Sequence, residues 1–180
     1  MLDNEIWPRI ASYFKSKLDT LFDPAAVLVD DPLVDHDHKG FYVGVVDSLG
    51  KGILREGFMQ EGLTNLRTSV DTVANALFSQ AKDKNVSRDK LQSSTLYFYC
   101  VQNCTYIADP LAWDENVDGI YFMWGQKYRG LYLPYEIKQF GLTKTETLDR
   151  LCSQEVHVPS TLWRLPEGLC WKISCIEYIS

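Results

Sequence analysis

The strongest structural signal in the sequence is GIYFMWGQKYRGLYL, residues 119–133. Two runs rich in aromatic and branched residues flank a three-residue loop, and such residues are enriched in β-strands. Gly125 opens the loop, where a tight turn favours a residue that tolerates a positive φ. The stretch therefore predicts a β-hairpin with strands at 119–124 and 128–133.

Two short helices are expected after this hairpin. Pro134 has the fixed φ that suits the first turn of a helix, which we expect to run through Phe140 and to end at Gly141. Thr143 and Glu146 have the spacing of a capping box at the start of the second helix. The apolar face of the second helix is expected to carry Leu148, Leu151 and Cys152.

The rest of the chain alternates helices with paired strands. Apolar residues recur at helical spacing from Ile6 to Leu21 and from Leu66 to Ala81. Strands are expected at 26–29, 40–46, 53–59, 95–101 with a continuation to 107, and 169–175. Because the strands arrive as hairpins and not as βαβ units, the pattern predicts an α+β fold in which helices pack on an antiparallel or mixed β-sheet.

The composition is that of an ordinary globular protein. With 180 residues, of which 46% are hydrophobic and 23% charged, the chain is expected to form a single compact domain over residues 1–180. Its net charge of -6 disfavours nucleic-acid binding, because binding to phosphate backbones is mostly cation-driven. No run approaches the roughly 20 apolar residues of a membrane span.

The expected location is the cytoplasm. The start of the sequence, MLDNEIW, lacks the basic and apolar regions of a signal peptide. Its five cysteines form an odd set without secretory context, which favours reduced thiols over a disulfide framework. A symmetric homodimer is compatible with the sequence.

The second half of the chain resembles the AMMECR family. That family has a characteristic succession of valine-aspartate-glycine, glycine-leucine-x-leucine-proline, leucine-cysteine and tryptophan. The matching residues are Val117, Asp118, Gly119, Gly130, Leu131, Leu133, Pro134, Leu151, Cys152 and Trp163. The resemblance implies a compact α+β sandwich, and association with Memo-type proteins and radical S-adenosylmethionine (SAM) enzymes in a modification pathway.

The first half departs from the family pattern. Members usually carry leucine-arginine-glycine-cysteine-isoleucine-glycine on the second hairpin strand, and the best match here is LREGFM, residues 54–59. Only Leu54 and Arg55 agree in register, the family's cysteine is absent, and Tyr135 stands where the family usually has glutamine. The hypothesis is therefore an AMMECR-like binding or accessory protein with a degenerate motif, its cleft beside Arg55 filled by Phe58 and Met59 or lined without a catalytic set.

The alternative is an enzyme, or an enzyme subunit, that acts with a radical SAM partner. Whether the protein is an enzyme is not decided by the sequence, which contains no complete catalytic set and identifies no cofactor. The buried-looking Cys100, Cys104 and Cys152 are expected to be core residues, and His157 is expected to be a loop residue.

Two sets of residues are candidate binding sites. Arg55, Arg129 and Tyr135 would line a pocket for a small molecule or a protein partner, because arginine binds carboxylate or phosphate groups and aromatic residues line clefts. The alternative for these arginines is a cross-strand ion pair.

The second candidate is a metal site at Asp35, His36 and His38. Carboxylate and imidazole groups suit Zn²⁺ or Mn²⁺, and two histidines at i and i+2 of an extended chain point the same way. The alternative is a solvated acidic loop between two strands.

Overall fold

The protein is an α+β fold built on a six-stranded antiparallel sheet, as seen in a computed structural model that describes residues 5–29, 38–59 and 65–180. The helices are α1 (Ile6–Phe22), α2 (Leu66–Asp83), α3 (Arg88–Gln92), α4 (Pro134–Phe140) and α5 (Lys144–Arg150). The strands are β1 (Gly40–Val46), β2 (Gly52–Met59), β3 (Thr95–Ile107), β4 (Gly119–Trp124), β5 (Tyr128–Tyr132) and β6 (Gly168–Ile179). They are hydrogen-bonded in the order β2-β1-β3-β6-β4-β5, which confirms the predicted fold class.

Contacts between α-carbons divide the chain into two compact units. The first contains residues 1–101 and 176–180, and the second contains residues 102–175. Strands β3 and β6 contribute residues to both. The single domain over residues 1–180 stays a prediction.

The core of the first unit lies between α1, α2 and one face of β1 and β3. Phe41, Val43 and Val45 alternate on the core face of β1, as expected for a strand. The rings of Phe14 and Phe98 meet edge to face with centroids 5.3 Å apart. Asn65 caps the start of α2, and its side-chain oxygen accepts a hydrogen bond from the Thr68 backbone N–H at 3.1 Å.

The second unit contains the predicted hairpin, formed by β4 and β5. Gly125 has a φ of +58° at the turn, and Gly141 ends α4 with a φ of +59°, as their positions predicted. The Glu146 carboxylate accepts the Thr143 backbone N–H at 2.9 Å and the Thr143 hydroxyl at 2.7 Å, which confirms the capping box of α5. The helices and loops cover the face of the sheet that carries Ile120 and Phe122.

Three predicted elements differ from the structure by more than one residue at an end. Residues 26–29 form no strand, and the Val29 backbone N–H is instead bonded to the Ser16 hydroxyl of α1 at 3.2 Å. Helix α5 ends at Arg150, after which Leu151–Glu155 forms a single π-helical turn. Strand β6 continues to Ile179, beyond the predicted end at 175. Within the described ranges, no helix is long and apolar enough to cross a membrane.

Candidate functional site

Arg55 lies on β2 in the first unit, beside a glycine of the neighbouring strand. It stands opposite Gly44 of β1, and Gly44 stands opposite Tyr97 of β3. Residues directly opposite one another point to the same face of a sheet, so Arg55 and Tyr97 flank a position without a side chain. The backbone of Arg55 is fixed by Gln80 of α2, which accepts its N–H at 3.2 Å and donates to its carbonyl at 3.3 Å.

Gly57 is the residue that the resemblance sets against the family's cysteine, and the ring of Tyr42 covers it. Tyr42 is directly opposite Gly57, and a β-carbon at Gly57 would overlap its ring and lie 2.6 Å from the Phe41 carbonyl oxygen. Phe58 packs against the core on the opposite face. The alternation of β2 turns Phe58 away from Arg55, so filling of a cleft there by Phe58 is not observed. The other expected outcome, a cleft lined without a catalytic set, stays a prediction.

Arg129 lies in the second unit, at one end of a row of side chains that crosses four neighbouring strands. We call this set the aromatic row, and it consists of Tyr106 on β3, Trp171 on β6, Tyr121 on β4 and Arg129 on β5. The ring centroids of Tyr106 and Trp171 are 5.8 Å apart, and those of Tyr121 and Trp171 are 5.4 Å apart. Phe122 and Cys170 face the core of the second unit, and the row lies on the other face of the sheet.

The aromatic row is partly open to solvent and carries one charge. Tyr106 is 54% exposed, Tyr121 and Trp171 are half-buried, and Arg129 is exposed. Burial raises the pKa of Tyr121, while the charge of Arg129 and a hydrogen bond from its side chain lower it. Among the described residues Arg129 makes no ion pair, so the cross-strand ion pair considered above is not observed for it.

Tyr135 contributes little accessible surface. It is the second residue of α4 and is only 7% exposed. Its neighbour Glu136 accepts the Leu133 backbone N–H at 2.8 Å and so closes the first turn of the helix. Of the predicted pocket residues, Arg55 belongs to the first unit and Arg129 and Tyr135 to the second. The pocket that would join them stays a prediction.

The predicted metal site falls mostly on residues that the structure does not describe. Asp35 and His36 lie outside the described ranges. His38 is 2% exposed, and its Nε2 is 2.8 Å from the Ser69 hydroxyl, so this nitrogen is engaged within the protein. In the described part of the chain, no group of three or more histidine, cysteine or carboxylate side chains is assembled for a metal ion. The metal site stays a prediction.

The cysteines are present as thiols, all of them within described residues. Burial raises the pKa of Cys152 to about 11, and burial likewise raises the pKa of Cys170 to about 12. Both remain protonated at neutral pH and pack as small apolar groups. The expected core positions of Cys100 and Cys152 are confirmed, whereas Cys104 is partly exposed.

The glycines of the second-half motif are required by close packing. A β-carbon at Gly130 would lie 2.8 Å from Cγ2 of Val156, and one at Gly119 would lie 2.8 Å from the Tyr132 carbonyl oxygen. These positions hold the hairpin against the π-helical turn and the start of α4, so their role is structural. His157 is exposed with a φ of +58°, which confirms that it is a loop residue.

Tyr106, Tyr121 and Trp171 were missed as site residues by sequence reasoning. The available signal was one aromatic residue in each of three strands, at a position whose side chain points away from the core of the second unit. That signal becomes a site only when the strand order is known, because the members are far apart in sequence.

The comparisons with known proteins identify the family. No curated protein matches this chain. The chain is similar to the crystal structure of the uncharacterized protein PH0010 from Pyrococcus horikoshii, with a TM-score of 0.82 and 14% identity over 99% of this chain and 93% of that chain. At this identity the likeness shows the fold alone. The AMMECR1 family model matches residues 56–168, and the match begins inside the degenerate segment LREGFM, residues 54–59. The chain belongs to the AMMECR1 family.

Proposed function

We propose that this protein is a non-catalytic binding domain that captures an acidic segment of a partner protein on the aromatic row. The observation that carries this proposal is the row itself, in which Tyr106, Trp171 and Tyr121 lead to an exposed arginine. Tryptophan, tyrosine and arginine are the residues that contribute most to protein–protein binding.

The dimensions of the row suit a short extended segment. Four adjacent strands place its ends roughly 14 Å apart, which is the length of about four residues of extended chain. Tyrosine and tryptophan have few rotatable bonds, so they offer a large contact area at a small cost in conformational entropy. A partner segment with aromatic or aliphatic side chains would therefore bury them against rings that are already positioned.

The charge of the row indicates an acidic partner. Arg129 is its one ionised member, and Lys127 lies exposed two residues away in the hairpin loop. Both are cations on a chain whose net charge is -6. A guanidinium binds a carboxylate through two parallel hydrogen bonds, which gives orientation as well as affinity.

Two further observations support binding over catalysis. The position of the family's cysteine is Gly57, and the Tyr42 ring takes the space of its side chain. The thiols of Cys152 and Cys170 are buried and held protonated, so neither is poised as a nucleophile. The cytoplasm remains our proposed location, because its reducing conditions suit a protein with thiols and no disulfide.

Selection of short random peptides displayed against the full chain tests the proposal. We expect the selected peptides to combine an acidic residue with aromatic or aliphatic ones. Arg129→Gln should weaken their binding at least about tenfold, since hydrogen bonds to charged groups contribute about 1.5–3 kcal/mol. Trp171→Ala should weaken it by a similar or larger factor, on the order of thirtyfold.

The matched controls are Tyr128→Ala and Lys127→Gln. Tyr128 is 40% exposed on the same strand as Arg129 but points to the other face, and Lys127 carries an equal charge in the adjoining loop. Tyr128→Ala should bind the peptides like the unmodified protein, and Lys127→Gln should lose less than Arg129→Gln. Peptides without acidic residues, or equal losses at Tyr128 and Trp171, would overturn the proposal.

A further inference from the structure

A cavity of about 230 Å³ lies in the first unit, beside α1, α3 and the start of β3. Its apolar wall consists of Leu18, Phe22, Leu91 and Leu96. The three leucines are nearly buried, with exposed fractions of 6%, 6% and 2% for Leu18, Leu91 and Leu96. The wall is therefore fixed by core packing and does not depend on surface side chains.

Most of the polar groups at the cavity are already satisfied within the protein. The Asp19 carboxylate accepts hydrogen bonds from Nε of Arg88 at 2.9 Å and from the Gln92 amide at 2.9 Å. Arg88 also lies 3.6 Å from the Asp23 carboxylate. The guanidinium of Arg88 is thus shared by two carboxylates, and it pairs most closely with Asp19.

Lys15 is the exception. Its ammonium group donates a hydrogen bond to the Ser180 hydroxyl at 2.8 Å. Within the ranges that the structure describes, Lys15 makes no ion pair with a carboxylate. The cavity thus joins an apolar wall to a cation that forms no ion pair with a described Asp or Glu side chain.

We infer that this cavity binds a small carboxylic acid with an apolar body, whose carboxylate pairs with Lys15. The body, a single ring or a short hydrocarbon chain, would lie against Leu18, Leu91 and Leu96. An apolar cavity of about 150 Å³ is large enough for benzene, so this cavity has room for a ring with a short side chain. The site is in the first unit and does not depend on the aromatic row of the second.

The affinity of such a ligand is expected to be modest and dependent on salt. A ligand of this size with one exposed ion pair should have a dissociation constant on the order of 0.1–1 mM. Because Lys15 is exposed, its attraction for a carboxylate should weaken as the ionic strength rises.

The test is a titration of the full chain with phenylpropionate, phenylpropanol and phenylpropylamine at low ionic strength. Binding is monitored through the NMR chemical shifts of the backbone amides. The three probes share one apolar body and differ in charge. We expect the strongest binding for phenylpropionate, with shifts in α1 and α3, and about threefold to tenfold weaker binding for the neutral alcohol. Lys15→Gln should abolish this preference while leaving the affinity for the alcohol unchanged.

Two variants complete the design. Lys17→Gln removes an equal charge from the same helix. Lys17 lies 3.8 Å from Asp71 and does not line the cavity. The Lys17→Gln variant should therefore bind phenylpropionate with the affinity of the unmodified protein. Gln92→Trp places a large ring at the exposed rim and should weaken binding of all three probes. Strongest binding of the amine, or an unchanged preference in Lys15→Gln, would overturn the inference.

Discussion

The ring of Tyr42 lies directly on the backbone of Gly57 across the β1–β2 pair, in the space that a side chain at position 57 would take. A glycine inside a strand normally weakens it, because it adds backbone freedom and offers nothing to pack. An aromatic ring laid over the glycine compensates by covering the exposed backbone. Tyr42 and Gly57 therefore act as one packing unit, and neither is expected to be replaceable alone.

Gly57→Cys should destabilise the protein by about 1–3 kcal/mol. The new side chain would overlap the Tyr42 ring, and overpacking of this kind costs about that amount. Urea unfolding followed by circular dichroism gives the free energy of unfolding of the variant and of the unmodified protein. In a Tyr42→Ala background the same change should cost less, because residues in contact are energetically coupled, and only the close approach to the Phe41 carbonyl oxygen remains. Equal costs in both backgrounds would show that the ring does not occupy that space.

Alkylation of the folded protein should follow the exposure of the thiols. Cys104 and Cys175 are partly exposed, whereas Cys100, Cys152 and Cys170 are buried. Iodoacetamide at neutral pH should therefore label the first two and leave the buried three unmodified until denaturant is added. Mass spectrometry of peptides after timed labelling gives the order in which the cysteines react. Rapid labelling of Cys152 in the folded state would contradict its place in the core.

The stability of the protein should fall as the pH rises above about 9. Burial raises the pKa of Cys170 from 9.0 to about 12, so the folded state keeps its proton after the unfolded state has lost it. Its contribution is therefore complete below pH 9 and decreases between about pH 9 and 12. The urea concentration at the unfolding midpoint should fall less steeply across this pH range for Cys170→Ala than for the unmodified protein. Cys104→Ala, which removes a partly exposed thiol, is the control and should follow the unmodified protein.

Local signals in the sequence predicted much of the secondary structure. The turn at Gly125 and the capping box of Thr143 and Glu146 were correct because both depend on residues within a few positions of each other. The strand predicted at 26–29 was wrong for the complementary reason. Strand-favouring residues such as Val29 form a strand only beside a partner, and here the Val29 N–H is bonded to a helix side chain.

The aromatic row and the covered glycine could not be predicted in the same way. Both are set by strand pairing, which brings Tyr106 beside Trp171 and Tyr42 opposite Gly57. The alternation within each strand shows which residues share a face, but it does not give the neighbouring strand or its register. Arg129 was identified as a candidate from its chemistry, and only the sheet order shows which side chains surround it.

Removing the carboxylate of Asp149 should destabilise the protein by about 1–3 kcal/mol, because a buried donor would lose its acceptor. Nε1 of Trp163 donates to Oδ1 of Asp149 at 2.7 Å, and Trp163 is only 6% exposed. Asp149→Leu keeps a side chain of similar size without an acceptor, whereas Asp149→Asn keeps an oxygen in place and should cost less than half as much. Urea unfolding of the two variants gives both free energies. If the leucine and asparagine variants were equally stable, the hydrogen bond would not be what anchors Trp163 to α5.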